Sequence, residues 1–254
     1  MLADRGFVPI SELAEVLGVS HVTARADVDG LAARGLAHRV RGGALAGPAG
    51  RTERSFEESQ STGAPEKAAI GHAAAALVAS GQTIVLDVGT TTTAVARALV
   101  ARVDLEEVTV VTNSLTIALG LEAALDRYTV LVTGGTLRRL QHSLVDPMGD
   151  LVLGRLRPDL AFLGCNGIHP TTGVTNVNLP EVAMKARMLA GAKRAVVVAD
   201  GSKVGATSLA RICAVGEVDL LLTGPSAPAG PVEDLRSSGL EVRVVDVPAG
   251  DAGA

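Results

Sequence analysis

The apolar positions of this chain follow two rhythms, and the change between them divides it. In the first 35 residues they recur at helical spacing. Leu13 and Leu17 lie four apart behind Ser11, which predicts a short helix capped by the Ser11 hydroxyl. Gly18 ends that helix, because glycine takes the left-handed conformation at little cost. Val19 is apolar and plugs the turn. Ser20 caps a second helix, on which Ala24, Val28 and Leu31 fall at i, i+4 and i+7 as a core stripe. The opposite face presents His21, Val22, Thr23, Arg25 and Ala26 near the helix start. Two short helices about a glycine turn, the second polar at its start, form a helix-turn-helix pattern. The alternating run from Leu36 to Arg41, closed by Gly42-Gly43, predicts a two-stranded wing.

From Glu66 onward the rhythm changes. Lys67 to Ala79 predicts an alanine-rich helix, ended by Ser80-Gly81. Short continuous apolar runs then alternate with helical ones. Strands are expected at 83–88, 108–112, 129–133, 160–164, 195–199, 220–223 and 242–245. Helices are expected at 92–100, 115–125, 148–156, 181–190 and 232–238. Continuously apolar strands between helices imply a mostly parallel sheet covered on both faces, the α/β class. Between the two regions Gly47-Pro48-Ala49-Gly50 and the charged run Glu53 to Ser59 read as a connection, with the charged piece helical and Phe56 as its docking residue. The expected division is a helix-turn-helix domain at 1–52, a linker at 53–66 and an α/β domain at 67–247.

Charge sharpens the first assignment. The chain carries a formal net charge of -4, so it is no polycation, and any nucleic-acid contact needs a local basic patch. Between Gly30 and Thr52 stand Arg34, Arg39, Arg41 and Arg51 with no acid among them, which suits phosphate contacts. Aromatic residues make up only 2%, namely Phe7, Phe56, Tyr128 and Phe162, which argues against single-strand or RNA binding by base stacking. Cys165 and Cys213 form no zinc-ligand spacing, and no metal or cofactor is expected. No signal peptide or membrane-length apolar run is present, so a cytoplasmic protein is expected.

Polar residues of the second region collect after its predicted strands, where open parallel sheets bind ligands. Asp87-Val88-Gly89-Thr90-Thr91-Thr92-Thr93 follows the first strand and opens a helix. Glycine lets backbone N–H groups turn towards an anion, the threonines add donors, and the helix start adds positive partial charge. That describes a phosphate cradle at Gly89, Thr90, Thr91 and Thr92; an ordinary threonine cap on a tight turn is the alternative. Thr112-Asn113-Ser114, Gly134-Gly135-Thr136 with Arg138 and Arg139, Gly164-Cys165-Asn166-Gly167 and Asp200-Gly201-Ser202-Lys203 end later strands. Lys203 and Arg138 suit a phosphate; Asp87, Asn113 and Asn166 suit hydroxyls. Lys185 joins this set, or else pairs with Glu181 along a helix.

Ser20-x-x-Thr23-Ala24-Arg25-Ala26-Asp27-Val28, followed by Leu31, Gly35, Arg39 and Gly42-Gly43-Ala44, resembles the winged helix-turn-helix of the DeoR family of bacterial transcription regulators. The resemblance continues through Lys67, Asp87-x-Gly89-Thr90-Thr91, Thr112-Asn113-Ser114, Gly134-Gly135, Phe162-Leu163-Gly164, Asn166-Gly167, Gly173, Glu181, Lys185 and Asp200-x-x-Lys203. It implies a sensor fold similar to ribose-5-phosphate isomerase and CoA-transferases, used to sense phosphorylated sugars or related metabolites. Ala26 stands where the family has a second arginine, Ser59 where it has an arginine, and Gly30 sits inside the recognition helix, at a cost of about 1 kcal/mol relative to alanine. The family's first helix would begin about a dozen residues before Phe7 and is here a stub. Either the reading frame starts upstream of Met1 or the DNA-binding domain is weakened.

The resemblance implies a repressor of a sugar-metabolism operon whose DNA affinity follows a phosphorylated sugar. Ser20, Thr23, Arg39 and Arg41 are then expected on DNA phosphates, and His21, Val22 and Arg25 on base edges. A single winged helix reads a short site, so a homo-oligomer on a double-stranded operator is expected. Two alternatives stand beside it: an isomerase- or transferase-like enzyme on the same sheet, and a sensor subunit that no longer binds DNA. The basic wing argues against the enzyme, as does the lack of a base partner for Asp87, Glu181 or Asp200.

Overall fold

The computed structural model describes residues 7–33, 37–40, 42–46 and 53–247. The chain divides into two compact units, Met1–Glu53 and Arg54–Ala254.

The first unit holds strand β1 (Phe7–Pro9), helices α1 (Ile10–Leu17) and α2 (His21–Ala33), and strands β2 (Ala37–Val40) and β3 (Gly43–Ala46). β3 lies between β1 and β2 in an antiparallel sheet. β1 is too short to show alternation and was not expected. It changes the start of α1: the N-cap is Pro9, with no side-chain cap, and Ser11 lies inside the helix. The Ile10 N–H instead donates to the Gly42 carbonyl at 3.1 Å, tying the helix start to the wing turn. Gly18 caps α1 in the left-handed region, at φ 64°. Val8, Ile10, Leu13, Ala14, Ala24, Val28 and Ala44 form the small core, with Val19 packed against it. Leu17, expected on that face, is exposed, because the buried stripe of α1 is Ile10, Leu13 and Ala14.

The second unit begins with α3 (Phe56–Ser61) and α4 (Ala64–Ala75), so the expected linker is largely helical. A reciprocal cap fixes α3: Ser55 Oγ accepts the Glu58 N–H at 3.2 Å and Glu58 Oε2 accepts the Ser55 N–H at 3.0 Å. The main sheet contains β4 (Thr83–Leu86), β5 (Val108–Thr112), β6 (Tyr128–Val132), β9 (Leu160–Leu163), β12 (Arg194–Val198), β14 (Leu220–Thr223) and β15 (Glu241–Val244). Its order is β15-β14-β12-β9-β4-β5-β6, with every neighbour pair parallel. The α/β expectation therefore holds. The hairpin β7 (Thr136–Arg138) and β8 (Ser143–Val145), and an antiparallel sheet of β10 (Gly167–His169), β11 (Gly173–Asn176) and β13 (Ala210–Cys213), were not foreseen. Three-residue strands carry too little pattern to read, and β11 (GVTN) and β13 (ARIC) are not apolar runs.

Helices cover both faces. On one, Ile70 and Ala74 of α4 and Val95 and Leu99 of α5 (Thr90–Val100) pack on Ile84, Leu86, Val110 and Phe162. On the other, Met184 and Met188 of α8 (Leu179–Gly191) pack on Val85, Val111, Ala161 and Leu163. Val232 and Leu235 of α9 (Ala229–Ser237) pack on Val197, Leu221 and Val242. Gly71 lets α4 and α5 touch backbone to backbone: a Cβ there would meet the Ala94 carbonyl at 2.6 Å. Two short helices, α6 (Leu115–Gly120) and α7 (Met148–Leu153), follow β5 and the hairpin. The helix expected at 115–125 stops at Gly120 and gives way to a 3-10 turn at Glu122–Ala124.

Candidate functional site

From β4 the chain order runs outward through β5 and β6 on one side, and from β9 through β12, β14 and β15 on the other. The order therefore reverses between β4 and β9, and the region beyond their carboxyl ends, the crevice of such sheets, is where they take ligands. Asp87 follows β4 and Gly164 follows β9. Asp87 Oδ2 accepts the Gly164 N–H at 3.0 Å and the ammonium of Lys185, which also reaches the Gly164 carbonyl at 3.1 Å. Asp87 and Lys185 are both buried. Burial pushes the Asp87 carboxyl up to about 6, against the pull of Lys185. Burial works against the Lys185 charge too, but Asp87 and Glu181 together raise its pKa above the ordinary value.

Glu181 does not pair with Lys185. It binds Arg138 of β7, accepts the Ser143 hydroxyl at 2.8 Å and takes the Asn176 amide at 3.3 Å. Arg138 is thus held in a partly buried ion pair with Glu181. Asn113 is fully buried, with Oδ1 accepting the Val88 N–H at 3.0 Å and Nδ2 donating to the Leu144 carbonyl at 3.4 Å. It shapes the loop that carries Asp87 and Gly89. Thr112 Oγ1 accepts the Ser114 N–H and Ser114 Oγ caps α6, so that whole tripeptide is committed internally. Gly134 and Gly135 both have positive φ, and a Cβ on Gly135 would strike the Val145 carbonyl, so this pair serves the hairpin backbone.

The threonine run splits. Gly89 is the N-cap of α5, and no threonine caps it. The Thr92 and Thr93 hydroxyls turn back to the Gly89 carbonyl, at 2.9 and 2.7 Å. Thr90 and Thr91 make no such bond among the described residues, and neither do the main-chain N–H groups of Thr90, Thr91 and Thr92. Other polar groups at the strand ends also lack partners among the described residues. They are Asp87 Oδ1, the Thr223 hydroxyl at the end of β14, the Asn166 amide nitrogen and the Lys203 ammonium. One unpaired acceptor beside several unpaired donors suits a ligand with both hydroxyl and anionic groups.

Glu66 carried no sequence signal for its role, and the partners of Lys67 and Ser202 were not foreseen. Glu66, in the alanine-rich helix, is buried and accepts the N–H of Gly201 at 3.2 Å and the Ser226 hydroxyl at 2.8 Å. It pins the loop that carries Asp200 and Lys203. Lys67 beside it is buried as well and donates to the Ser59 carbonyl at 2.6 Å, with Asp200 Oδ2 at 3.9 Å. Ser202 donates to Asp200, closing that turn. Cys165 lies close by, but burial pushes its thiol up to about 12, which leaves no thiolate for chemistry.

In the first unit Ser20 does cap α2: its hydroxyl accepts the Thr23 N–H at 3.1 Å and meets the Thr23 hydroxyl at 2.9 Å. His21, Val22, Thr23, Arg25 and Ala26 are all exposed on one side, while Ala24 and Val28 are buried on the other. Val22, apolar and β-branched, is 74% exposed, an apolar contact available to a thymine methyl. Arg39 lies in β2, where only the backbone is described. Arg41 lies outside the described residues, as do Arg34, Arg51 and residues 1–6, where the truncated first helix was expected. No described helix is long and apolar enough to cross a membrane.

A winged helix-turn-helix followed by an α/β unit with a strand-end crevice defines a ligand-responsive DNA-binding regulator. Residues 1–47 match the DeoR-like helix-turn-helix domain and residues 63–224 the DeoR C terminal sensor domain. The chain belongs to the DeoR family of transcription regulators. It is 33% identical over 246 residues to the putative aga operon transcriptional repressor of Escherichia coli O157:H7, covering 96% of this chain and 90% of that one. It is 34% identical to the HTH-type transcriptional regulator GlpR of Haloferax volcanii, covering 95% and 93%. Identity to the glycerol-3-phosphate regulon repressor of Escherichia coli K12 is 27%, covering 96% and 95%. Solved structures are more distant. Ribose 5-phosphate isomerase A from Methanocaldococcus jannaschii matches at TM-score 0.40 and 20% identity, over 54% of this chain and 52% of that chain. A probable sor operon regulator from Shigella flexneri matches at TM-score 0.40 and 11% identity, over 76% and 88%.

Proposed function

We propose that this regulator represses an operon of sugar or polyol-phosphate metabolism, and that a phosphorylated sugar or polyol lowers its operator affinity. The observation that carries the ligand class is the set of unpaired groups at the strand ends. The N–H groups of Thr90, Thr91 and Thr92, with the Thr90 and Thr91 hydroxyls, open the positive end of α5 to an oxyanion. Lys203 supplies a full positive charge, and Asp87 Oδ1 and the Asn166 amide meet hydroxyls. Arg138, Lys185 and Asn113 act behind this layer, because their polar atoms hold Glu181, Asp87 and the Val88 loop. Gly89, Gly134 and Gly135 give the backbone its path around the crevice. The names of the aga operon and glycerol-3-phosphate relatives support the same class of effector.

On the DNA side, His21, Val22 and Arg25 face base edges, and Ser20, Thr23, Arg39 and Arg41 reach phosphates. The protein works in the cytoplasm as a homo-oligomer, since a two-fold operator needs two recognition helices. The edge strand β6 supports a second copy as the partner. No charged residue stands between Tyr128 and Leu137, so identical copies meet there without repulsion. Leu131 and Val132 of that strand are 36% and 39% exposed. Isothermal calorimetry with phosphorylated and unphosphorylated forms of the same sugars tests the ligand class: equal binding of the two forms rejects it.

A further inference from the structure

Lys67 carries a buried charge with little to neutralise it. Its ammonium has three donors, and among the described residues its one hydrogen bond is to the neutral Ser59 carbonyl at 2.6 Å. The closest carboxylate, Asp200 Oδ2, stands at 3.9 Å, beyond hydrogen-bonding distance. Burial accordingly lowers its pKa. The side chain lines a cavity of about 150 Å³ between α3, α4 and α5, together with Gln60, His72, Thr90 and Arg97. Among the described residues, no acidic side chain lines that cavity. It runs along α5 from Thr90, the first residue of that helix, to Arg97, and reaches Gln60 in the last turn of α3.

α3 is six residues long and would not persist alone. Its first turn is fastened to the β7–β8 hairpin. The Phe56 N–H donates to the Leu140 carbonyl at 2.9 Å, and Glu57 meets His142 at 2.7 Å. Its last turn is held by Lys67. The chain enters the sensor unit through this helix.

We propose that an anion at the head of α5 competes with the Ser59 carbonyl for the Lys67 ammonium and so loosens α3. A phosphate oxygen is the stronger acceptor, because it brings a countercharge as well as a lone pair. Drawing Lys67 to the anion satisfies its idle donors and removes the hold on the last turn of α3. The segment joining sensor to DNA-binding unit thereby answers to ligand. The inference rests on the anionic-ligand reading above and adds the residue that transmits it.

Hydrogen–deuterium exchange on the full chain tests it, with inorganic phosphate compared against chloride at equal ionic strength. Phosphate is expected to slow exchange at residues 89–92 and to speed it at residues 54–61 by about tenfold. In Lys67→Met, residues 54–61 are expected to exchange fast without phosphate and to respond no further. Slowing at 89–92 with 54–61 unchanged overturns the inference and leaves the anion site standing. No change at either segment rejects the anion site and the inference together. Parent-like protection of 54–61 in Lys67→Met also overturns it. If that variant does not fold, the phosphate arm on the parent protein decides alone.

Discussion

Glu181 and Lys185 stand one turn apart on α8, yet each is paired elsewhere: Glu181 with Arg138 of β7, Lys185 with Asp87 beyond β4. One helix therefore supplies two ion pairs, one partly buried and one buried, that fasten a hairpin and a strand-end loop. Neither pair is a surface ornament, because removing one partner strands a charge in a dry site. Lys185→Met is expected to destabilise the protein by about 3–5 kcal/mol, read by urea unfolding. A loss below 1 kcal/mol, of the order found for exposed pairs, contradicts the burial argument.

Asp87 adds a pH signature. Its folded carboxyl is raised to about 6 from an ordinary 3.8, so the folded state holds the proton more tightly than the unfolded chain. Its contribution to stability is full below about pH 4 and is lost as pH rises to about 6. Carbon-13 NMR of the labelled carboxyl should show a midpoint near 6. A midpoint at or below 3.8 means that Lys185, not burial, governs the group.

The contact at Gly71 makes a steric prediction. A methyl group there meets the Ala94 carbonyl at 2.6 Å, so α4 and α5 must separate. Gly71→Ala is expected to cost about 1–3 kcal/mol, despite the better helix propensity of alanine. A stabilised variant in thermal or urea unfolding refutes the close packing.

How much of this was legible in the sequence depended on element length and on where a polar atom finds its partner. The central strands of the main sheet were readable because β4, β9, β12 and β14 are nearly continuous apolar runs, and Gly18 and Ser20 marked the helix-turn-helix turn by conformation and capping. β1, β7 and β10 have three residues each, too few for a period. Leu17 kept the helical rhythm but had no core to enter. The Ser55–Glu58 box was written in the sequence and went unread beside the Gly-Pro run. Glu66 and Asn113 left no trace of their roles, since their partners lie 135 and 25 residues away. The threonine run was read as one unit; the fold divides it, with Thr92 and Thr93 turned back on Gly89 and Thr90 and Thr91 left over.

The recognition helix allows a separation of roles. Arg25→Ala should relax sequence preference, at a cost of about 1–3 kcal/mol on the best operator. Ser20→Ala removes the α2 cap and should lower stability by about 1 kcal/mol. Competition binding with operator and unrelated DNA distinguishes the two. Unchanged preference in Arg25→Ala removes that residue from the base edge.

The exposed edge of β6 is tested by charge. Leu131→Lys places like charges opposite each other if two copies meet there, and sedimentation should show a smaller species. An unchanged oligomer moves the interface elsewhere.

The most direct test of the central claim is operator affinity in fluorescence anisotropy, titrated with sugar and polyol phosphates, each beside its dephosphorylated form. One phosphorylated compound is expected to weaken binding by about 5–150-fold, and its dephosphorylated form to do nothing. Thr91→Ala and Lys203→Ala should lose that response while binding operator like the parent without ligand. An equal response to the dephosphorylated form, or a full response in both variants, contradicts a phosphate held at the head of α5.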